Sequence, residues 1–130
     1  MSIEFVSVDN ISDLDILNHM SSSLPAATFH ILLSLAEEER HGYAIIKDIE
    51  ASTNDELRLS PGTLYRSIQR MLEEGLIVES GRRPARALDD ERRRYYRITP
   101  SGIAAARAEL RRLAEMIRIG RERGLKPEMP

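Results

Sequence analysis

The stretch Leu59–Ile77, LSPGTLYRSIQRMLEEGLI, holds small and hydroxyl residues at its start and two arginines one helical turn apart behind them. Ser60, Gly62 and Thr63 leave room for close approach, and the free N–H groups of a first helical turn favour an anion such as a phosphate. Arg66 and Arg70 can each reach a phosphate, or the O6/N7 edge of a guanine in bidentate geometry. Ser67 shares their face, and Tyr65 lies on its flank. A second set of cations follows in GRRPARALDDERRRYY, where Arg82, Arg83, Arg86, Arg92, Arg93 and Arg94 precede Tyr95. Such a set can neutralise successive backbone phosphates. The chemistry on offer is recognition of a polyanion.

The elements that must carry these groups can be read from periodicity. Residues 1–23 are acidic and end in serines; Ile11, Leu14, Leu17 and Met20 recur every three residues, which fits an arm or a short helix. Pro25 suits a first helical turn, and AATFHILLSLAEEE is apolar on most sides, as a central core helix should be. RHGYA punctuates at Gly42, and YAIIKDIEAST places Ile45 or Ile46 and then Ile49 on one face. Ser60 then acts as N-cap and Pro61 as the first residue of the next helix. Leu64, Ile68, Met71 and Leu72 form its core stripe, and Gly75 ends it. Leu76–Ser80 and Arg93–Thr99 read as two strands of a hairpin whose long tip is the arginine-rich loop. Alternation makes Tyr96 the core-facing tyrosine and Tyr95 the outward one.

Thr99-Pro100 repeats the cap-then-proline device and opens the last helix. There Ile103, Ala106, Leu110, Leu113 and Ile117 are spaced 3, 4, 3, 4, an a/d seam of about two heptads that reads as a dimer contact. The expected organisation is an N-terminal segment 1–23, a helical and hairpin domain 24–99, a dimerisation helix 100–123 and a tail 124–130. The fold class is mostly α with a small β-hairpin.

Composition narrows the function. The 130 residues are 42 % apolar and 31 % charged, which is globular usage with one core. No apolar run approaches a membrane span, and the first residues lack the basic start of a secretory signal, so a cytoplasmic location is expected. Without cysteine there are no disulfides, thiolate metal sites or cysteine nucleophiles. His19, His30 and His41 stand far apart, so no metal is expected; His30 fits a partly buried helix position and His41 a helix cap. With no glycine-rich phosphate loop and no nucleophile elbow, no enzyme and no cofactor is expected. Net charge is −2, but residues 1–57 carry −9, residues 58–97 carry +4 and residues 98–130 carry +3. The basic part is the part that holds the candidate anion-binding groups.

Three helices followed by a hairpin is the plan of a winged helix-turn-helix, with the hairpin as the wing. A recognition helix of that plan enters the major groove by its first turn. The blocks HGYAIIKDIE, LSPGTLYRSIQRMLEEGLI and DDERRRYYRITPSG, in that order and spacing, also resemble the signature blocks of PadR-family transcriptional regulators over roughly residues 25–103. The resemblance implies a homodimeric repressor that binds double-stranded DNA, dimerises by its C-terminal helix and is released by a small-molecule effector where there is one; two-fold symmetry then calls for a palindromic operator. It resembles the small branch of the family, which has a single C-terminal helix. By position, Ser60, Thr63 and Tyr65 match the start of the family's recognition helix, and Arg93, Arg94 and Tyr95 match its wing strand. Arg66 stands where the family often has proline, adding a charge at the groove. The chain has no tryptophan for the aromatic stacking of the drug-sensing members, which points to an aliphatic or ligand-free interface. A winged-helix protein–protein adaptor is the alternative, and it leaves the basic wing without a purpose.

Overall fold

The structure is a computed structural model and describes residues 24–81 and 94–127. Its elements are α1 (Ala26–Glu37), β1 (Arg40–His41), α2 (Gly42–Ser52), α3 (Pro61–Glu73), β2 (Ile77–Glu79), β3 (Tyr95–Ile98) and α4 (Pro100–Glu122). The expected readings of residues 1–23 and of the wing tip lie outside the described residues.

α1 is the central helix. Ile31 and Leu32 are fully buried and Leu35 nearly so, and they meet Ile45 and Ile49 of α2, Leu64, Ile68 and Met71 of α3, and Ile77 of β2. Between the two candidates on α2, Ile45 is the core residue, while Ile46 packs at the edge. Pro25 stands one position earlier than expected. It is the N-cap, with φ −55° and ψ 145°, and its carbonyl accepts from the Phe29 N–H at 3.0 Å. The fixed φ of proline suits this extended cap as well as it suits a first turn.

The α2–α3 connection is held by Thr53, whose hydroxyl donates to the Ile49 carbonyl at 2.8 Å and accepts from the Leu57 N–H at 3.1 Å. Asn54 and Asp55 take the left-handed conformation there (φ 52° and 66°), which short polar side chains tolerate. α3 opens on Ser60, whose hydroxyl accepts from the Thr63 N–H at 3.2 Å. It closes in a Schellman pattern, with the Leu76 N–H on the Met71 carbonyl, the Gly75 N–H on the Leu72 carbonyl, and Gly75 at φ +76°.

The expected two-stranded hairpin is a three-stranded antiparallel sheet, ordered β1-β3-β2. Arg40 pairs with Tyr96 and His41 with Tyr95 on one side of β3; Ile77 pairs with Ile98 and Glu79 with Tyr96 on the other. The strands are shorter than expected: β2 lacks Leu76 and Ser80, and β3 begins at Tyr95. Tyr96 is buried as expected. Arg40 also ties the first strand back to the end of α1, its Nε donating to the Ser34 carbonyl at 3.2 Å and its guanidinium pairing with Glu37 and Glu38.

α4 starts from Thr99, whose hydroxyl accepts from the Gly102 N–H at 3.0 Å and donates to the Leu76 carbonyl at 2.9 Å. Gly102 is required by packing. A Cβ there would stand 2.2 Å from the Leu76 carbonyl oxygen. At 23 residues the helix is about 34 Å long. One expectation for it fails. Ala106 is buried in the core of this chain, so it is not open to a second one. The seam therefore splits: Ile103, Leu110 and Ile117 form an exposed column, 37, 49 and 49 % accessible, and Leu113 is half-buried. A 3-4 spacing cannot tell a contact with a partner from a contact with the chain's own body.

Candidate nucleic-acid interface

α3 presents three sides. Leu64, Ile68 and Met71 face the core. Tyr65, Gln69 and Leu72 line a cleft of about 410 Å³ against Glu79, Arg94 and Tyr96 at the base of the wing. On the other flank, Thr63, Arg66, Ser67 and Arg70 line a smaller cleft of about 170 Å³ with Pro25 and Thr28 at the start of α1. The surface of α3 opposite the core is thus bounded by the first turn of α1 on one side and the wing on the other.

Gly62, Arg66 and Arg70 are exposed, and neither arginine makes an ion pair with any described residue. Neither Glu73 nor Glu74 pairs with them among the described residues; Glu73 accepts from Gln69 Nε2 at 3.2 Å. The Ser60 hydroxyl is engaged as the cap and lies 3.1 Å from the Thr63 hydroxyl. Ser67 is half-buried on the α1 flank, not on the outward surface. No acidic residue sits in the first turn of α1 or of α3, and α1 has no side-chain cap, so both helix starts keep N–H groups for an outside acceptor.

Tyr65 is 42 % exposed and lies across the first turn of α2. A Cβ on Gly42 would stand 2.3 Å from its hydroxyl oxygen, so the glycine of the HGY turn is what admits the ring. His41 caps α2 as expected, Nδ1 accepting from the Ala44 N–H at 3.2 Å. Its ring meets Tyr95 edge-on, with centroids 5.3 Å apart, so Tyr95 is half-buried against β1 where an outward ring was expected. Arg94 is exposed and faces Glu79 at 3.6 Å. Burial pushes the Tyr96 hydroxyl above its usual range; Tyr65 and Glu79 add to the shift and Arg94 opposes it. Arg82, Arg83, Arg86, Arg92 and Arg93 lie outside the described residues.

Three residues of this surface escaped the sequence reading. Gln69 lies on the outward side of α3, three positions from Arg66, and a glutamine amide can pair with adenine. Tyr43 is 62 % exposed at the start of α2, with the Lys47 ammonium 5.4 Å from its ring centroid. Tyr43 holds that ammonium above its usual range, by charge and hydrogen bonding, so it stays cationic. The signal was their i, i+4 spacing off the Ile45–Ile49 stripe.

A sequence model of the PadR-like family of transcriptional regulators matches residues 31–108. The chain is 37 % identical over 93 residues to the transcriptional regulator Rv3488 of Mycobacterium tuberculosis, covering 72 % of this chain and 80 % of that protein. A transcriptional regulator from Clostridium thermocellum superposes with a TM-score of 0.61 at 26 % identity, covering 83 % of this chain and 93 % of that one. Bacillus subtilis PadR, solved in complex with operator DNA, superposes with a TM-score of 0.58 at 19 % identity over 68 % of this chain and 48 % of that one, a likeness of fold. With that fold and a family match running from the central helix into the last one, the chain belongs to the PadR-like family of transcriptional regulators.

Proposed function

We propose that the protein is a sequence-reading repressor of double-stranded DNA that acts as a homodimer in the cytoplasm. The observation that carries this is the outward surface of α3, where Arg66 and Arg70 stand unpaired among the described residues between two helix starts free of acidic side chains. In this reading Gly62, Arg66 and Gln69 face base edges in the major groove. Ser60, Thr63, Ser67, Arg70 and the start of α1 meet the phosphates on one side. Tyr65, Tyr43, Lys47, Arg94, Tyr95 and the wing arginines meet them on the other. The operator-bound relative supports the docking by analogy of fold.

Two copies joined along Ile103, Leu110, Leu113 and Ile117 require an operator of two-fold symmetry with half-sites about one helical turn apart, on the order of 34–36 Å. A small shift between the two α4 helices, driven by an effector, would change that spacing and release the DNA. Fluorescence anisotropy with a duplex from upstream of the protein's own gene, against a scrambled duplex over a salt series, tests the reading. Preference for the upstream duplex with a steep log–log loss of affinity on adding salt is expected. Absence of salt-dependent binding to either duplex at micromolar protein turns the reading to an adaptor of proteins.

A further inference from the structure

The smaller cleft beside α3, about 170 Å³, is lined by a helix start, hydroxyls and guanidinium groups, and no carboxylate lines it. Pro25 and Thr28, the cap and the third residue of α1, form one wall. α1 has 12 residues, no side-chain cap and no acid in its first turn. The N–H groups of Ala26, Ala27 and Thr28 make no hydrogen bond among the described residues, so they stand open at the rim. Thr63, Arg66, Ser67 and Arg70 form the other wall. Thr28 is the decisive residue. A helical threonine can bond a carbonyl one turn back, but the hydroxyl of Thr28 makes no hydrogen bond among the described residues, although the residue is only 5 % exposed. The sealed hydroxyl without a partner among those residues is Ser34 Oγ, so that of Thr28 is not sealed, and the opening beside it is the cleft. The Ser67 hydroxyl is equally without a partner there. The Thr63 hydroxyl accepts from Ser60 at 3.1 Å and keeps its own proton to donate.

We propose that this cleft seats one free phosphoryl dianion, as inorganic phosphate or the terminal group of a phosphate monoester, and that the bound anion displaces DNA. Size fits: at about 30 Å³ of liquid per water, the cleft has room for roughly six waters, the scale of a tetrahedral oxyanion and less than a nucleoside needs. Charge and donors favour the free group over a backbone phosphate. The guanidinium groups of Arg66 and Arg70 balance a dianion, and the hydroxyls of Thr28, Thr63 and Ser67 with the helix N–H groups suit its terminal oxygens. A backbone phosphodiester brings a single charge and fewer free oxygens, so it leaves part of the set unused. The displacement rests on the DNA docking of α3 proposed above, because the same residues would meet the backbone; the seat itself does not. Release of this kind needs no movement of α4.

Calorimetric titration of the full-length protein without DNA, at constant ionic strength and about pH 8, where the phosphoryl group is dianionic, tests the seat. The probes are inorganic phosphate, phenyl phosphate and, as the diester, dimethyl phosphate. Saturable binding of the first two at millimolar concentration or below is expected, about ten-fold or more tighter than that of dimethyl phosphate, and the tighter of the two names the source. Thr28→Val keeps the shape and loses the hydroxyl; it should weaken phosphate binding several-fold while the melting temperature holds, and Arg70→Gln should abolish it. No saturable binding, equal binding of dimethyl phosphate, or a Thr28→Val protein that binds phosphate like the parent would overturn the proposal. In the anisotropy titration, phosphate should then release the upstream duplex beyond what chloride does at equal ionic strength. Duplex binding that phosphate leaves untouched would overturn the displacement, whereas a protein that takes phosphate but no duplex keeps the seat and loses the DNA reading.

Discussion

At the residue scale, two glycines of similar appearance in the sequence have opposite duties. Gly62 has nothing within 4 Å of where a Cβ would sit, whereas a Cβ on Gly102 would collide with the Leu76 carbonyl. Gly102→Ala must move backbone between α3 and α4, and a loss of about 1–3 kcal/mol is expected in urea unfolding. Gly62→Ala should leave stability unchanged or raise it by up to about 1 kcal/mol, because alanine is the better helix former. If the first turn of α3 enters a groove, the same methyl should weaken operator binding several-fold while the melting temperature holds. Equal DNA affinity in Gly62→Ala would place this turn away from the DNA. The sequence reading named Gly62 for close approach to an outside partner; Gly102, which serves the chain's own packing, left no mark in periodicity.

At the element scale, the helices were legible because each carries a cap and an apolar stripe. Ser60-Pro61 and Thr99-Pro100 stand where the structure starts α3 and α4, and Leu64, Ile68 and Met71 are buried. β1 was not legible. Arg40–His41 has no apolar alternation, and this two-residue strand exists only because β3 offers it an edge. The wrong assignment of Ala106 has a similar origin, since one 3-4 repeat can serve two neighbours in space. That gives a paired prediction for α4. If the exposed column joins two copies, Leu110→Glu puts a charge in it and should shift sedimentation from dimer to monomer while the far-ultraviolet spectrum is retained. Ala106→Leu overpacks the core of the protomer, so it should lower the urea midpoint without acting on assembly first. A dimer that survives Leu110→Glu would place the contact elsewhere.

At the scale of the whole molecule, Glu109 joins the entry of the chain to its last helix. It accepts from the Leu24 N–H and from Arg112 Nε and Nη2, at 3.1 and 2.6 Å, while 6 % exposed. The Arg112 guanidinium holds its carboxyl below the usual range, burial opposes this, and the Leu24 N–H helps. A carboxyl depressed on folding contributes stability that is complete above its unfolded value, about 4.3, and is lost as pH falls toward the folded one. Glu109→Gln should therefore lower the urea midpoint at pH 7, with the gap to the parent closing below about pH 4. A gap that stays constant down to pH 3 would mean that the carboxyl acts by shape alone.

The charge asymmetry works at the same scale and bears on function. A net charge of −2 does not bar the chain from a polyanion, because the field at α3 and the wing is set by nearby residues, and charges beyond about 8–10 Å are screened at physiological salt. Within the acidic first half, Glu37, Glu38 and Asp48 are partly neutralised by Arg40. Salt dependence should thus track the local cations. Arg70→Ala, if Arg70 meets a phosphate, should weaken operator and scrambled duplexes alike and reduce the log–log salt slope by about one per protomer. Arg66→Ala, if Arg66 reads a base edge, should cost about 1–3 kcal/mol on the operator and far less on the scrambled duplex. Anisotropy titrations of both variants at several salt concentrations distinguish the two roles. An interchange of the two patterns would rotate α3 in the groove, moving Arg70 inward and Arg66 to the backbone, and equal effects on slope with none on preference would leave both arginines on phosphates.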